Sequence, residues 1–270
     1  MTMKLLSGTE LVDFIMERQA KQVRNLKQAH HVAPRLAIVR CNPESDVIST
    51  YIRLKQAYGD DIGVAVEVFD ESADTLSERI DELNGRDDVH GVIVQLPIVP
   101  GSLTDAVLEK VAPHKDVDGL SSQTLFDPAT PMAILWLLAG YNVDLQDVAI
   151  VGRGRLVGAP LARMLADSGV DVAVYDKGFD GDLAAELRRA KVIITATGQP
   201  GLIAADMLAP QVAVVDAGTA SEDGVIVGDL APEVRQRQDL TVTPERGGVG
   251  PLTVAALFDN VLRAARRTTE

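Results

Sequence analysis

The chain has 270 residues, 46% of them hydrophobic and 24% charged, with a formal net charge of −13. That length holds two packed cores or one large α/β unit, while the acidic balance argues against nucleic acid as a partner and requires local cations to catch any anionic substrate. The single cysteine, Cys41, excludes an internal disulfide and a thiolate metal cluster and suits a reducing cytoplasm; no apolar run approaches the ~20 residues of a bilayer span, and residues 1–10 show no leader pattern.

Residues 8–29 read as an amphipathic helix, with Leu11, Phe14, Ile15, Val23 and Leu26 at helical spacing. A strand at 35–39, a helix at 49–62, a strand at 64–69 and a helix at 75–84 follow, the last opened by Ser72 or Asp74. Residues 90–96, HGVIVQL, form a buried strand that halts at Pro97. Such alternation implies a parallel sheet covered by helices. Residues 119–130 are polar and proline-containing and read as a hinge, before an apolar helix at 131–141 that carries the only tryptophan, Trp136. A second set follows: strands at 148–151, 172–175, 192–196 and 212–216, with helices at 159–169 and 181–190. The glycine-rich stretch 247–251 precedes a last amphipathic helix at 252–265, and the basic run 263–267 complements that helix's dipole. The expected fold class is α/β: two α/β lobes with a cleft between them, the second a Rossmann-type dinucleotide-binding domain.

The order of elements around VAIVGRGRLVGAP (148–160) carries the strongest chemistry. An apolar strand ends in Gly152, Gly154 and Gly158, and a helix starts directly behind them. Glycine lets a pyrophosphate approach the backbone, and the free N–H groups of a helix N-terminus attract anions. The spacing G-x-G-x-x-x-G is one residue longer than the common fingerprint, and a tight strand-to-helix turn with no ligand is the alternative.

Tyr51 and Lys55, four apart on one helix, share a face. They are either a solvated helix face or an aromatic that stacks on a flat ligand beside an amine for proton work. Gln95 stands at the carboxyl end of a parallel strand, where open α/β sheets place ligands; a strand cap is the alternative. KDVDG (115–119) offers two carboxylates to a cation or a guanidine-like donor edge, or is a solvated turn, and a metal is disfavoured because no third carboxylate or histidine cluster lies near. GGVGPLT (247–253) is either a flexible approach to a helix or backbone passing close to a ligand.

Taken together, Tyr51-x3-Lys55, VQLP (94–97), KDVDG, ATP (129–131), GRGRLVGAP (152–160), TATGQPG (195–201), VVDAG (214–218), VGD (227–229) and GGVGPLT resemble the methylenetetrahydrofolate dehydrogenase/cyclohydrolase family. The resemblance runs collinearly from about Leu5 to Leu262. It implies a cytoplasmic homodimer that oxidises 5,10-methylenetetrahydrofolate to the methenyl form by hydride transfer to a nicotinamide, then hydrolyses it to 10-formyltetrahydrofolate, without metal. It makes residues 1–128, completed by the terminal helix 252–270, a folate-binding catalytic domain, and residues 129–251 an NAD(P)-binding domain. Carried over, Tyr51 stacks on the folate, Lys55 is the central group for ring opening, Gln95 tunes it and Asp118 holds the pterin N–H donors. Leu96, Pro97, Gly250 and Pro251 belong to the folate site. Gly152, Arg153, Gly154, Arg155, Leu156, Val157, Gly158, Asp176, Lys177, Thr197, Gly198 and Thr219 belong to the dinucleotide site.

The chain also departs from the family. Ile48 stands where a serine is usual, residues 42–51 are about three longer, Ala129 replaces a cysteine, Gly154 a serine, and Glu245-Arg246 a Val-Pro pair. At the end of the second nucleotide-domain strand, Tyr175-Asp176-Lys177 replaces the His-Ser suited to a 2′-phosphate. An acid there is the usual partner of a free ribose 2′-OH, whereas Arg153, Arg155 and Lys177 favour a phosphate. Family resemblance favours NADP(H), and Asp176 leaves NAD(H) open. The rival functions are a dehydrogenase without efficient cyclohydrolase, a non-catalytic dinucleotide sensor, and an oxidoreductase for a hydroxy or amino acid. The last would want arginines where KDVDG offers acids.

Overall fold

The computed structural model describes residues 3–41, 46–222 and 225–269. Residues 42–45, in the lengthened stretch before Tyr51, lie outside the described residues. The chain divides into two compact units, one of Asp13–Ala129 with Val254–Glu270 and one of Met1–Val12 with Thr130–Thr253.

In the first unit, β2 (Arg35–Arg40) lies between β3 (Ala65–Asp70) and β4 (Gly91–Gln95), all parallel, with Leu36 opposite both Val66 and Gly91. The central strand is β2, and Leu36 to Val39 are all buried, as continuous apolar strands between helical layers must be. One face packs on α3 (Leu76–Gly85) and α4 (Thr104–Leu108) through Leu76, Ile80, Leu83 and Val107 against Ala37, Val39, Val92 and Val94. On α2 (Asp46–Ile62), Gly59 lets the helix approach β3: a Cβ there would stand 2.6 Å from Val66. Tyr58 of α2 meets Phe258 of α8 (Val249–Arg267), ring centroids 5.1 Å apart, and donates to Gln19 of α1 (Gly8–Ala29), which in turn donates to the Ala255 carbonyl. The segment read as a hinge is tied down at one end. Buried Asn260 donates from Nδ2 to the carbonyls of Val117 and Asp127, and Phe126 is buried.

The second unit holds a six-stranded parallel sheet in the order β1 (Lys4–Leu5), β11 (Thr241–Val242), β8 (Ala213–Asp216), β7 (Val192–Thr195), β5 (Val148–Val151), β6 (Val172–Tyr175). The helices are α5 (Ala129–Gly140), α6 (Gly158–Asp167) and the five-residue α7 (Leu183–Leu187), which is shorter than the helix expected at 181–190. A two-stranded antiparallel ribbon, β9 (Ala220–Glu222) and β10 (Val225–Val227), stands apart from the sheet. Strand β5 pairs with β6 on one side and β7 on the other, so the chain reverses direction across the sheet at β5. In doubly wound sheets that reversal opens a crevice at the carboxyl ends of the strands. The two-residue β1 was not expected: Lys4 and Leu5 pair with β11, which draws residues 1–12 into this unit.

Candidate active site

Lys55 and Tyr51 lie four residues apart on α2, and Gln95 ends β4. The Gln95 amide is held by both ends. Its Nε2 donates to the Leu96 carbonyl at 3.1 Å, which turns Oε1 outward to accept from Lys55 Nζ at 2.7 Å. Burial holds the Lys55 amine below the ordinary lysine range, and the negative charge of Asp118 acts against that. Burial in turn raises the Asp118 carboxyl, with Lys55 opposing. Tyr51 is half-buried, its phenol pushed up by desolvation. Leu96 is half-buried and Pro97 exposed, joined by a cis peptide. Ile48 is buried.

The three charges of KDVDG have separate fates. Lys115 is buried, its ammonium donating to the carbonyls of Leu83, Asn84 and Arg86 at 3.0, 2.9 and 2.7 Å. It therefore caps the C-terminal end of α3. Asp116, bridged in parallel to Val92 of β4, accepts from the Leu120 and Ser121 amides and the Ser121 hydroxyl. Both residues are structural, not the cation or guanidine site open from the sequence. Asp118 follows the stub beside β4 and so emerges at the same carboxyl edge as Gln95. The structure thus brings Lys55 to Gln95 by a hydrogen bond and to Asp118 by the attraction of opposite charges. A lysine whose pKa is lowered by burial gives up its proton more readily than one in water and can exchange protons with a reacting group.

In the second unit the glycine loop leaves β5 and enters α6. Gly152 has φ +107°, and a Cβ on it would stand 2.5 Å from the Ala196 carbonyl. A Cβ on Gly158 would collide with the Gly152 carbonyl, whereas one on Gly154 would meet nothing within 4 Å. The loop is therefore packed at two glycines and open at the third. Val157 at the N-cap supplies no side-chain cap; in the first turn the Ala159 amide donates to the Gly154 carbonyl at 3.1 Å and Pro160 carries no N–H. Leu156 is exposed and Val157 half-buried in this turn; Arg155 is exposed. Arg153 Nε pairs with Asp176 at 3.3 Å at the tip of β6; the other Asp176 oxygen accepts from the Gly178 amide. Lys177 is exposed. Gly198, φ +65°, comes to Thr219, whose carbonyl a Cβ would approach to 3.4 Å. The loops carrying Gly152–Gly158, Thr197–Gly198 and Thr219 thus share one edge of the sheet. Gly250 and Pro251 also belong to this unit, in the first turn of α8, because the helix starts at Val249 and not at 252. A Cβ on Gly250 would meet open space.

Asp216 and Asp229, which stand within VVDAG and VGD, carry no role expected from the sequence. Asp229, fully buried, accepts from Thr195 Oγ1 at 2.6 Å and from the amides of Thr197 and Gln199 at 2.7 and 2.9 Å. Asp216 accepts from the amides of Gly218, Asp229 and Leu230 and from Arg235 at 2.9 Å. Each carboxylate fills the space left by the other loop's glycine, since a Cβ on Gly218 would strike Asp229 and one on Gly228 would strike Asp216. The D-x-G and G-D pairs, each with an acid beside a glycine, are the signal that could have revealed the clasp. A helix start without a side-chain cap, a packed glycine loop and a pinned neighbouring loop suit a dinucleotide pyrophosphate.

The fold and these two sites define a two-unit α/β protein whose larger sheet has the dinucleotide-binding plan. Residues 6–118 match the family model for the tetrahydrofolate dehydrogenase/cyclohydrolase catalytic domain, and residues 128–269 that for its NAD(P)-binding domain. The chain belongs to the tetrahydrofolate dehydrogenase/cyclohydrolase family. It is similar to the bifunctional protein FolD of Macrococcus caseolyticus, 33% identical with all of both chains covered. The crystal structure of bifunctional FolD from Campylobacter jejuni superposes with a TM-score of 0.91 at 33% identity, covering 98% of this chain and 99% of that one. FolD from Trypanosoma brucei, solved with NADP cofactor and inhibitor, gives 0.92 at 27% identity, covering 99% of each.

Among the described residues no cluster of three or more histidine, cysteine or acidic side chains could hold a metal ion, and no helix is long and apolar enough to cross a membrane.

Proposed function

We propose that this chain oxidises 5,10-methylenetetrahydrofolate to the 5,10-methenyl form and hydrolyses that to 10-formyltetrahydrofolate. Family membership supports the pair of activities, and the 2.7 Å bond from Lys55 to Gln95 beside Asp118 is the observation that carries the reading. The unit of residues 13–129 with 254–270 serves as the folate-binding catalytic domain and that of residues 130–253, which residues 1–12 join, as the NAD(P)-binding domain.

When bound, a nicotinamide dinucleotide supplies the hydride acceptor. Gly152, Gly154, Gly158 and the first turn of α6 receive its pyrophosphate, with Arg153, Arg155, Leu156, Val157, Lys177, Thr197, Gly198 and Thr219 around it. Tyr51 stacks on the folate, Asp118 accepts from the pterin N–H groups, and Leu96, Pro97, Gly250 and Pro251 line the ligand. The methenyl carbon is cationic: once water has added, the bond from carbon to N5 breaks as the hydroxyl proton passes to N5 and the N10-formyl group forms, while the addition itself requires water to lose its other proton. The neutral Lys55 amine accepts that proton, and Gln95 holds the amine in place. No metal is required. NADP(H) is the cofactor the family favours, and pairing with Arg153 blunts the charge of Asp176. NAD(H) is the second reading, on the observation that this acid directly follows β6. The protein acts as a homodimer in the cytoplasm, by analogy with the family.

Lys55→Met tests the reading. Methenyltetrahydrofolate hydrolysis, followed by absorbance, should fall by about 10²–10⁴-fold, the span of general acid–base catalysis, while dinucleotide binding stays within about twofold, a shift below 0.5 kcal/mol. Full ring-opening activity in a folded variant would refute the role of Lys55. Methenyl accumulation during wild-type turnover would point instead to a dehydrogenase alone.

A further inference from the structure

The groove between α1 and α8 in the first unit has a charge opposite to that of the molecule. The whole chain carries 39 acidic residues against 26 lysines and arginines. The lining of this cavity of about 500 Å³ reverses the balance, with four lysines and arginines to one acid. Arg18 and Lys21 stand on α1, and Arg263 and Arg266 on α8, each pair spaced along one helix face. The buried Leu26 and Leu262 form the apolar part of the lining.

Two of the arginines are held in place. Arg18 pairs with the one acid, Asp259, at 2.7 Å. Arg263 stacks over Phe126, 5.6 Å from guanidinium carbon to ring centroid, and donates to Oδ1 of Asn260 at 3.3 Å. Asn260 is fully buried and its Nδ2 is fixed by two backbone carbonyls, so the arginine on it is oriented before any ligand arrives. Among the described residues neither Lys21, Arg263 nor Arg266 has a carboxylate within ion-pair distance. Support of the α8 dipole accounts for Arg266 in the last turn. It does not account for Arg263 a turn earlier or for Lys21 inside α1.

We infer that this groove binds a small anion bearing several phosphate groups. Cations gathered in excess of acids repel one another until an anion neutralises them, and arginine forks match phosphate oxygens in pairs. The volume lies within the roughly 300–1,000 Å³ of small-ligand sites. None of Tyr51, Lys55, Gln95 and Asp118, nor any residue of the glycine loop, lines it, so the site is separate from both functional sites described above.

Calorimetric titration of the full chain with inorganic tripolyphosphate at physiological ionic strength tests this, with saturating dinucleotide present to fill the glycine loop. The expected result is saturable binding at one site per chain. The affinity should fall fivefold or more in Arg263→Gln/Arg266→Gln, both exposed positions, and in Lys21→Gln on the opposite wall, with dinucleotide affinity unchanged. No saturable binding, a loss below fivefold in both variants, or binding that Arg153→Gln abolishes and the groove variants keep would overturn the inference.

Discussion

Asp229→Asn isolates the clasp behind the dinucleotide loops. The substitution keeps shape and removes one charge. The carboxylate accepts from Thr195 and Thr197 through one oxygen and from Gln199 through the other. An amide can keep its carbonyl on the first pair, but its NH₂ then faces the Gln199 amide, donor against donor. Bonds to a charged group contribute ~1.5–3 kcal/mol each and neutral ones ~0.5–1.5. Two weakened bonds and one lost give ~3.5–6 kcal/mol, reduced to about 3 because burying the neutral amide costs less than burying the charge. Urea unfolding should show that loss through a lower midpoint at unchanged slope. Because Thr197 and Gly198 sit on the released loop, dinucleotide affinity should drop about tenfold, equal to ~1.4 kcal/mol. Hydrolysis through Lys55, in the other unit, should change less than about threefold, under 1 kcal/mol. A stability loss below ~0.5 kcal/mol, the usual range of inert surface changes, or unaltered dinucleotide affinity would show that the clasp does not position the loop.

Three other outcomes follow from the sites. Lys55 acts deprotonated, so ring opening should rise with pH through an inflection below the ordinary lysine 10.5. Asp118 raises that pKa, so Asp118→Asn should move the inflection lower still; an unmoved inflection in rate–pH profiles breaks the link between the two groups. Asp176→Ser removes the acid at the tip of β6 and should shift the ratio of NADP to NAD dissociation constants about tenfold toward NADP, ~1.4 kcal/mol; fluorescence titrations giving an unchanged ratio would remove Asp176 from cofactor choice. Lys115→Met strips one buried and two half-buried carbonyls of their donor and should destabilise by about 2–4 kcal/mol, and a loss under ~1 kcal/mol in chemical denaturation would contradict its capping role.

The sequence alone determined the elements marked by an apolar run or a helical period. Residues 148–151 and 172–175 match β5 and β6 residue for residue, and 8–29 matches α1, because continuous apolar runs and long helical periods have few other ways to leave water. It also located the glycine loop and the helix behind it, since strand, turn and helix are contiguous in the chain. Elements of two or three residues carry no period, so β1, β11 and the β9–β10 ribbon came only from the partner strands or neighbours they meet. Composition could not separate the charges of KDVDG either. Lys115 became a cap because α3 ends beside it, while Asp118 was left facing Lys55, sixty-odd residues away in the chain. The clasp between Asp216 and Asp229, with 13 residues separating its halves, likewise exists only where two loops cross. Local pattern records which surfaces must be buried; which polar groups then face one another is decided by contacts that no window of the sequence spans.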